Sequence, residues 1–279
     1  MCYWKERKIF MITCTFNGRL GNNLFQIATA LSIANDLKTD TIFPETTWAG
    51  HRGHVPVDLS MFAYNFKRGV IQTSNSFNET QFHYEAIKPI DDLTIHGFYQ
   101  SDKYFNSIRE QLLNEYFVPS RQVLDQLRKY EISSNSLGIS VRRGDYLMLQ
   151  ENHCVLSTEY YQESINTYFQ NNIDQIFVFS DDIEWCKSVF GNDVNYIQDT
   201  PGVQLFLMSK MKHLILSNST FAWWGAYLNN NDGIIVAPTP WFGPAYSDKD
   251  TKDIYCDNWI QLSHQIVKHP FNITPNMFN

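Results

Sequence analysis

The chain has 279 residues, of which 43% are hydrophobic and 18% charged, and its formal net charge is −7. A chain of this length and composition folds around a substantial core, which excludes a disordered or collagen-like protein. The excess of acidic residues argues against a general nucleic-acid-binding protein, because neutralising phosphates requires a basic face.

The first half of the chain alternates apolar, strand-like runs with helix-like windows, a pattern typical of β-α-β units on a parallel sheet. Residues 43–82 interrupt this alternation with Pro, Gly, His and aromatic residues that follow no sustained period, which predicts irregular loops and short elements. The other predicted elements of this half are a strand at 9–16, a glycine turn at 18–23, a helix at 24–37, a strand at 93–99 and helices at 102–116 and 121–131.

A cluster of turn-forming Ser and Asn residues at 133–136 separates a charged helix from a new apolar run. It predicts a boundary between two domains, 1–134 and 135–279. The alternation then resumes, with strands predicted at 137–141, 175–179, 194–197, 213–216 and 234–237 and helices at 158–171, 183–190, 202–212 and 220–228. The sequence thus predicts an α/β protein with two Rossmann-like halves, and the ligands of such sheets bind beyond the carboxyl ends of the strands.

Two arginines and a carboxylate, Arg142, Arg143 and Asp145, directly follow the predicted strand 137–141. Arginine suits phosphate binding, because its planar guanidinium stays ionised and donates two parallel hydrogen bonds. A phosphate site at this strand end is one interpretation. An Arg–Asp ion pair that only holds the loop is the alternative.

Two further polar segments also follow predicted strands. The Ser-Asn-Ser-Thr segment 217–220 precedes an aromatic helix, where hydroxyls and free backbone N–H groups favour an anion. A plain helix N-cap has the same sequence. Asp181 and Asp182 follow the strand 175–179, and they predict either contacts with the ribose or base of a nucleotide or a helix cap.

The sequence offers one weak metal-binding pattern. Asp248-Lys249-Asp250 resembles a D-x-D motif, but its setting is a polar run typical of an exposed loop, so we expect no metal site. The five cysteines are scattered and never spaced as C-x-x-C, which indicates neither a zinc site nor a disulfide framework. No apolar run is suited to crossing a bilayer. We therefore expect a cytoplasmic protein, or one peripheral at a membrane where glycans are assembled.

Five sequence blocks together resemble a known family, and they lie at 18–26, 97–105, 141–146, 179–182 and 207–224. In this order the blocks resemble glycosyltransferase family 11, the α-1,2-fucosyltransferases. The resemblance spans residues 12–260, and its most specific parts are the Arg142 block and the segment from Ser217 to Trp224.

The resemblance implies a GT-B fold, in which two Rossmann-like halves face each other across a cleft. It implies an inverting transfer of L-fucose from GDP-β-L-fucose to a sugar hydroxyl, expected to be the 2-hydroxyl of a galactoside, without a metal. Domain 1–134 would bind the acceptor and domain 135–279 the donor. The expected partners are a GDP-sugar and an oligosaccharide acceptor, and no nucleic acid.

The resemblance also assigns roles to individual residues. Arg142 and the segment 217–220 would stabilise the charge that builds on the β-phosphate of the leaving GDP. Asn22 and Gln100 would orient the acceptor, and Asp145 would remove its proton unless it braces Arg143. The predicted catalytic residues are Arg142, Asp145 and Asn22, and the predicted donor-binding residues are Arg142, Asp181, Asp182, Ser217, Asn218, Ser219 and Thr220.

Three positions depart from the family pattern. Ser140 stands where the family's H-x-R-R-x-D motif begins with His, Asn23 replaces a Gln, and Gln204 replaces an acidic residue. Ser140 and Gln204 lie in the predicted donor half. They predict altered donor binding rather than an inactive protein, because Ser140 removes an imidazole and Gln204 replaces a carboxylate with an amide of similar reach.

Two alternative functions fit the same sequence. One is a GT-B enzyme that uses a different GDP-sugar or forms a different linkage. The other is a non-catalytic carbohydrate-binding protein in which four tryptophans stack on sugars, namely Trp223, Trp224, Trp241 and Trp259. GDP binding separates an enzyme from a lectin, since a lectin should ignore GDP.

Overall fold

Two parallel sheets organise the part of the chain that the computed structural model describes, residues 11–170 and 173–269. The chain forms two compact units, which divide in sequence between Val118 and Pro119. Each unit contains one of the sheets together with helices, so the predicted α/β class with parallel sheets is confirmed. The first two residues of the predicted strand 9–16 and the last residue of the predicted helix 158–171 lie outside the described residues.

The strands of the first unit are β1 Met11–Cys14, β2 Asp40–Thr41, β3 Thr46–Trp48, β4 His54–Pro56, β5 Asn75–Asn78 and β6 Leu93–His96. Four of them form a parallel sheet in the order β2-β1-β6-β5, while β3 and β4 pair as an antiparallel hairpin. The sequence did not predict β5, because its residues are mostly polar. Its main chain nevertheless pairs with β6 from Asn75 opposite Leu93 to Asn78 opposite His96.

Helix α1, Leu20–Leu37, packs against β1 and is buried along most of its length. It begins four residues before the predicted helix, because the N–H of Asn23 already donates to the carbonyl oxygen of Arg19 at 3.0 Å. The predicted glycine turn 18–23 is therefore wrong in its second half. Asn22, which was expected on a loop, lies in the first turn of α1.

The predicted helix 102–116 is not one regular α-helix, because the segment is interrupted at Phe105 and changes its helix type. Its pieces are 3-10 turns at Asp102–Tyr104 and Asn106–Ile108, a single helical turn α2 at Arg109–Gln111 and a π-helical turn at Leu112–Tyr116. The break occurs at Phe105, whose φ of −144° and ψ of 11° lie outside the helical region. The Phe105 ring is fully buried beside Phe25, with 5.9 Å between the ring centroids, so its packing overrides the helical periodicity.

The strands of the second unit are β7 Ser136–Val141, β8 Gln175–Ser180, β9 Asn195–Ile197, β10 His213–Ile215, β11 Ile235–Thr239 and β12 Ile260–Ser263. They form a six-stranded parallel sheet in the order β12-β11-β10-β7-β8-β9. From β7 the chain proceeds outward through β8 and β9, and then returns to the other side through β10. The strand order therefore reverses between β7 and β10, where doubly wound sheets bind their ligands.

The helices of this unit are α3 Arg121–Leu127, α4 Thr158–Tyr168, α5 Ile183–Phe190, α6 Pro201–Met208 and α7 Thr220–Tyr227. The predicted domain boundary at 134/135 differs from the observed division after Val118. The physical reason is that α3 packs on α6, which makes it part of the second unit.

Strand β7 is buried at all six positions and lies at the centre of the second unit's core. Leu137, Ile139 and Val141 pack there with Tyr160 and Tyr161 of α4. Each fully buried apolar side chain of this size stabilises the fold by about 1.5–3 kcal/mol. The carboxyl end of β7, which leads into Arg142, is therefore held by a rigid core.

Candidate functional site

The two residues predicted to bind the acceptor contact each other in the first unit. Nε2 of Gln100, on the loop after β6, donates to Oδ1 of Asn22 at 3.0 Å. Both side chains are half-buried. The structure thus brings together the two amides that the sequence placed 78 positions apart.

Gly18 sets the position of Asn22. Its φ is +86°, and a Cβ atom at this position would lie 2.1 Å from Nδ2 of Asn22. A side chain at residue 18 would therefore strain the backbone and displace the Asn22 amide.

A buried amide network lies behind Asn22 and Gln100. Nε2 of Gln26 donates to the carbonyl oxygen of Gly97 at 2.8 Å, and its Oε1 accepts from the N–H of Asn17 at 3.2 Å. Nδ2 of Asn23 donates both to Oε1 of Gln26 and to Oγ1 of Thr47, each at 3.1 Å. Asn23, one of the three departures from the family pattern, is thus a buried residue whose amide nitrogen bonds within the first unit. Thr47 lies in β3, within the segment for which the sequence predicted irregular loops and short elements.

In the second unit, Arg142 lies between two carboxylates. Its Nη2 is 2.5 Å from Oδ1 of Asp145, and its Nη1 is 2.7 Å from Oδ2 of Asp181. All three side chains remain between 21% and 25% exposed, so the cluster is open to a ligand. Asp145 therefore pairs with Arg142. Asp181, predicted to contact ribose or base, orients the arginine.

Arg143 is buried and holds the start of α5. Its Nε is 3.3 Å from Oδ2 of Asp182, and its guanidinium lies 4.2 Å above the centre of the Trp185 ring. Its backbone N–H donates to Oδ1 of Asp181 at 2.9 Å. Oδ1 of Asp182 in turn accepts from the N–H of Trp185 at 3.2 Å, which caps α5. Asp182 therefore caps α5, and its contact with a nucleotide stays a prediction.

The sequence did not single out two aromatic side chains near Arg142, Tyr146 against the guanidinium and His153 behind Tyr146. The guanidinium is 5.3 Å from the centre of the Tyr146 ring, and His153 stacks on Tyr146 with centroids 4.4 Å apart and an angle of 11°. The hydroxyl of Tyr146 donates to the carbonyl oxygen of Asn218 at 3.1 Å. Burial lowers the pKa of His153, although the Asp145 charge acts in the opposite direction.

The segment 217–220 divides into an inner and an outer pair. Oγ of Ser217 is 2.8 Å from Oγ of Ser140, and both residues are buried. Nδ2 of Asn218 donates to the carbonyl oxygens of Cys154 and Trp241, at 3.0 and 2.9 Å. The side chains of Ser217 and Asn218 therefore bond within the protein, and their contact with the donor stays a prediction.

The outer pair, Ser219 and Thr220, is half-buried and begins α7. Ser219 occupies the N-cap position without a side-chain capping bond, and its carbonyl oxygen accepts from the N–H of Trp223 at 2.9 Å. The first turn of α7 follows β10, which pairs with β7, so this helix start and Arg142 follow adjacent strands. Hydroxyls and N–H groups at such a helix start suit an anion.

Gln204 also bonds within the protein. It lies in the first turn of α6, and its Nε2 donates to the carbonyl oxygen of Asp199 at 2.7 Å. Asp199 itself accepts from the Tyr130 hydroxyl at 3.0 Å and forms an ion pair with Lys129. The residue that replaces the family's acidic side chain thus supports the N-terminus of a helix.

The four tryptophans considered as sugar-stacking platforms are core residues, with exposures of 0% for Trp223, 0% for Trp224, 2% for Trp241 and 7% for Trp259. Nε1 of Trp223 donates to the carbonyl oxygen of Ile254 at 2.6 Å. Their burial contradicts the lectin interpretation, which requires exposed rings.

Among the described residues, no group of three or more His, Cys, Asp or Glu side chains could hold a metal ion. Asp248 and Asp250 lie on an exposed loop and pair with Lys249 and Lys252 at 2.9 and 2.6 Å. The four cysteines in the described ranges are buried free thiols, and Cys2 lies outside those ranges. Within residues 11–170 and 173–269, no helix is long and apolar enough to cross a bilayer.

A sequence model of glycosyl transferase family 11 matches residues 2–263. The chain belongs to this family. The predicted family is therefore confirmed. The chain also resembles individual family 11 relatives, and it is 41% identical over 181 residues to an α-1,2-colitosyltransferase of Escherichia coli. This match covers 60% of the chain and 61% of that relative, so it spans about three fifths of the relative's length.

Two further similarities cover more of the chain. It is 30% identical over 227 residues to the O-antigen biosynthesis glycosyltransferase WbnK of Escherichia coli, covering 73% of each chain. It is 28% identical over 250 residues to the human galactoside α-(1,2)-fucosyltransferase 1, covering 79% of this chain and 66% of the relative.

Two solved structures share the fold at low sequence identity. The fucosyltransferase NodZ from Bradyrhizobium superposes with a TM-score of 0.52 at 11% identity, covering 78% of this chain and 92% of NodZ. POFUT1 in complex with GDP superposes with a TM-score of 0.50 at 11% identity, covering 82% and 98%. These similarities support a GT-B-like fold for this family 11 chain.

Proposed function

We propose that this family 11 protein transfers L-fucose from GDP-β-L-fucose to the 2-hydroxyl of a galactoside, with inversion at the anomeric carbon and without a metal. The observation that carries the proposal is the position of Arg142, at the carboxyl end of β7 where the strand order reverses. In doubly wound sheets this is where nucleotides bind.

Arg142 is the group that binds the diphosphate of the donor. Asp145 and Asp181 each engage one terminal nitrogen of its guanidinium, which fixes the plane of the fork before the donor arrives. A fork fixed in this way can direct its other N–H groups at two phosphate oxygens. The outer residues Ser219 and Thr220 add hydroxyls and the N–H groups of the α7 start.

The transfer needs stabilisation of the leaving GDP above all. As the acceptor hydroxyl attacks the anomeric carbon, the bond between that carbon and the β-phosphate oxygen breaks, negative charge builds on GDP, and the hydroxyl proton passes to solvent. A preorganised donor at such a position lowers the barrier by about 3 kcal/mol. Arg142 and the α7 start therefore take the role that a metal ion has in other transferases.

Asp145 belongs to this arrangement as an orienting group. Its Oδ1 bonds to Nη2 of Arg142 at 2.5 Å. We therefore propose that Asp145 orients the guanidinium and does not remove the proton of the acceptor hydroxyl. Asn22 and Gln100 of the first unit supply the neutral donors and acceptors that bind sugar hydroxyls, and we assign them to the acceptor.

GDP-colitose is a second candidate donor. The 41% identity to an α-1,2-colitosyltransferase favours it, and so does Ser140 in place of the family's His. Colitose is fucose without its 3-hydroxyl. A site with one hydrogen-bonding imidazole fewer suits a sugar with one hydroxyl fewer, because no polar group is left unpaired.

A donor panel tests the proposal. The purified protein is incubated with GDP-fucose, GDP-colitose and GDP-mannose, each with a β-galactoside acceptor, and the product linkage is determined by NMR. We expect an α-1,2-linked product from GDP-fucose. Faster transfer from GDP-colitose would establish the second candidate. Glycan binding without any GDP binding or transfer would contradict both.

A further inference from the structure

Glu79 occupies an unusual position in the first unit. Its two carboxylate oxygens accept hydrogen bonds from consecutive backbone N–H groups, Oε2 from Phe98 at 2.6 Å and Oε1 from Tyr99 at 3.0 Å. Its own N–H donates to the carbonyl oxygen of His96 at 2.8 Å. Glu79 therefore follows β5 directly and bridges to the loop after β6.

The backbone of this loop is shaped around the carboxylate. A Cβ atom at Gly97 would lie 2.4 Å from Cβ of Glu79, so only glycine allows the loop to approach so closely. Tyr99 has a φ of +54°, in the left-handed region where a bulky residue is strained. Such a conformation persists only when its surroundings impose it, and the two bonds to Glu79 do so.

The loop that Glu79 holds also carries Gln100. The carbonyl oxygen of Gly97 accepts from Gln26 at 2.8 Å, and Nε2 of Gln100 reaches Asn22 at 3.0 Å. Between these two fixed points, the bonds from Phe98 and Tyr99 to the carboxylate determine the path of the main chain.

A carboxylate has two acceptor oxygens, one for each of the two N–H groups. Partial burial raises the pKa of Glu79, and the charge of nearby Glu85 acts in the same direction, while the two backbone hydrogen bonds lower it. An amide in its place would offer one acceptor oxygen, so one of the two N–H groups would face an N–H₂ donor. A charged acceptor does hold a strained turn more firmly, since its hydrogen bonds are about twice as strong.

We propose that Glu79 is a positioning residue for the acceptor: its carboxylate holds the 97–99 turn so that Gln100 and Asn22 face the acceptor sugar in a fixed geometry. This role rests on the proposed function, because it presumes that Gln100 and Asn22 bind the acceptor. Nothing in the sequence pattern pointed to Glu79, which lies in the irregular segment.

The test compares Glu79→Gln with Glu85→Gln, a matched control. Glu85 lies six positions on and accepts from the Thr80 hydroxyl at 2.8 Å, without a bond to the turn. Initial rates are measured with varied acceptor at saturating donor, then with varied donor. A second variant, Glu79→Ala, is followed by amide hydrogen exchange of the segment 97–101.

For Glu79→Gln we expect the KM of the acceptor to rise at least about tenfold, since a hydrogen bond to a charged group contributes that factor or more. The KM of the donor and donor hydrolysis without acceptor should stay within about twofold. Glu85→Gln should match the parent. In Glu79→Ala, the backbone amide hydrogens of Phe98 and Tyr99 should exchange with solvent faster than they do in the parent.

Three results would overturn the proposal. One is an acceptor KM in Glu79→Gln equal to that of the parent. Another is a large loss of kcat at an unchanged acceptor KM, which would make Glu79 the proton acceptor instead. The third is unchanged exchange of the Phe98 and Tyr99 amides in Glu79→Ala. If the parent protein transfers no sugar, the proposed function itself fails. If the parent transfers sugar and Glu79→Gln has the same kinetic constants, only the role of Glu79 fails.

Discussion

In the first unit the candidate residues Asn22 and Gln100 are neutral amides that bond to each other at 3.0 Å, whereas in the second unit Arg142 lies between two carboxylates at 2.5 and 2.7 Å. The first arrangement suits sugar hydroxyls, which both donate and accept. The second suits a diphosphate, because a fixed guanidinium carries positive charge and parallel donors.

The two units also differ in where their carboxylates act. In the first unit Glu79 binds backbone N–H groups and fixes a turn, while in the second unit Asp145 and Asp181 bind a cationic side chain. Carboxylates thus set the geometry in both units without being the groups that contact the ligand in our account. Substitutions at the site of the first unit should therefore change the kinetic constants for the acceptor. Substitutions at the site of the second unit should change those for the donor.

The largest effect is expected at Arg142. Arg142→Lys should lower kcat by about 100-fold or more, because the point charge of lysine cannot reproduce the planar fork. The matched control is Arg121→Lys, an exposed arginine paired with Asp125 at 3.1 Å, which should keep the parent's kcat. Steady-state rates with GDP-fucose, together with circular dichroism, measure both. Activity of Arg142→Lys within a few-fold of the parent would remove Arg142 from the diphosphate.

Asp181→Asn should have the next largest effect. It retains the shape of the side chain but removes the charge that holds Nη1 of Arg142 at 2.7 Å. A bond of this kind contributes about 1.5–3 kcal/mol, so kcat/KM for the donor should fall about 10- to 100-fold while the acceptor KM stays constant. The control is Asp248→Asn on the exposed loop. An equal loss in both variants would contradict the role of Asp181.

Ser140→Ala tests whether the departure from the family pattern is structural. It leaves the buried hydroxyl of Ser217 without its partner at 2.8 Å, so the free energy of unfolding should fall by about 1–2 kcal/mol. Urea denaturation measures this, with Ser188→Ala on the exposed face of α5 as the control. An unchanged stability with a changed ratio of GDP-fucose to GDP-colitose use would instead place Ser140 in contact with the donor sugar.

The smallest expected effect is on the pH dependence of stability. Burial lowers the pKa of His153 in the folded state. As the pH falls below about 6.5, the ordinary pKa of histidine, His153 therefore takes up its proton in the unfolded chain before it does so in the folded protein. The contribution of neutral His153 is present above that pH and is lost as the pH falls towards the lowered pKa. His153→Phe should therefore flatten the decline in Tm between about pH 6.5 and 5. The decline should persist in part, because burial also lowers the pKa values of His213 and His269.

The sequence predicted the second unit better than the first. Helix α5 was predicted with its observed bounds, Ile183–Phe190, because an Asp cap and regular apolar spacing coincide there. The buried strand β7 was clear for similar reasons. By contrast, β5 is polar and depends on pairing with β6, and the packing of Phe105 breaks a periodic segment into turns. Long-range packing determines both, and no local pattern encodes it.

The candidate site was predictable in its residue types but not in its pairings. Arg142, Asn22 and Gln100 could be singled out from short motifs. The pairs between carboxylates and arginines depend on how the loops after β7 and β8 meet. The order of the strands in the sheet determines this meeting, and a local sequence motif does not reveal that order. For the same reason the sequence missed Tyr146, which lies beside Arg142, and His153, which stacks on Tyr146.

The most direct test of the central claim is transfer in the presence of saturating EDTA. The purified protein, GDP-fucose and a β-galactoside are incubated with EDTA, and the product is quantified and its linkage determined by NMR. The account predicts an α-1,2-fucosylated galactoside at the same rate as without the chelator, because Arg142 and the α7 start carry the charge of the leaving GDP. Loss of transfer under EDTA, with recovery on adding manganese or magnesium, would contradict it.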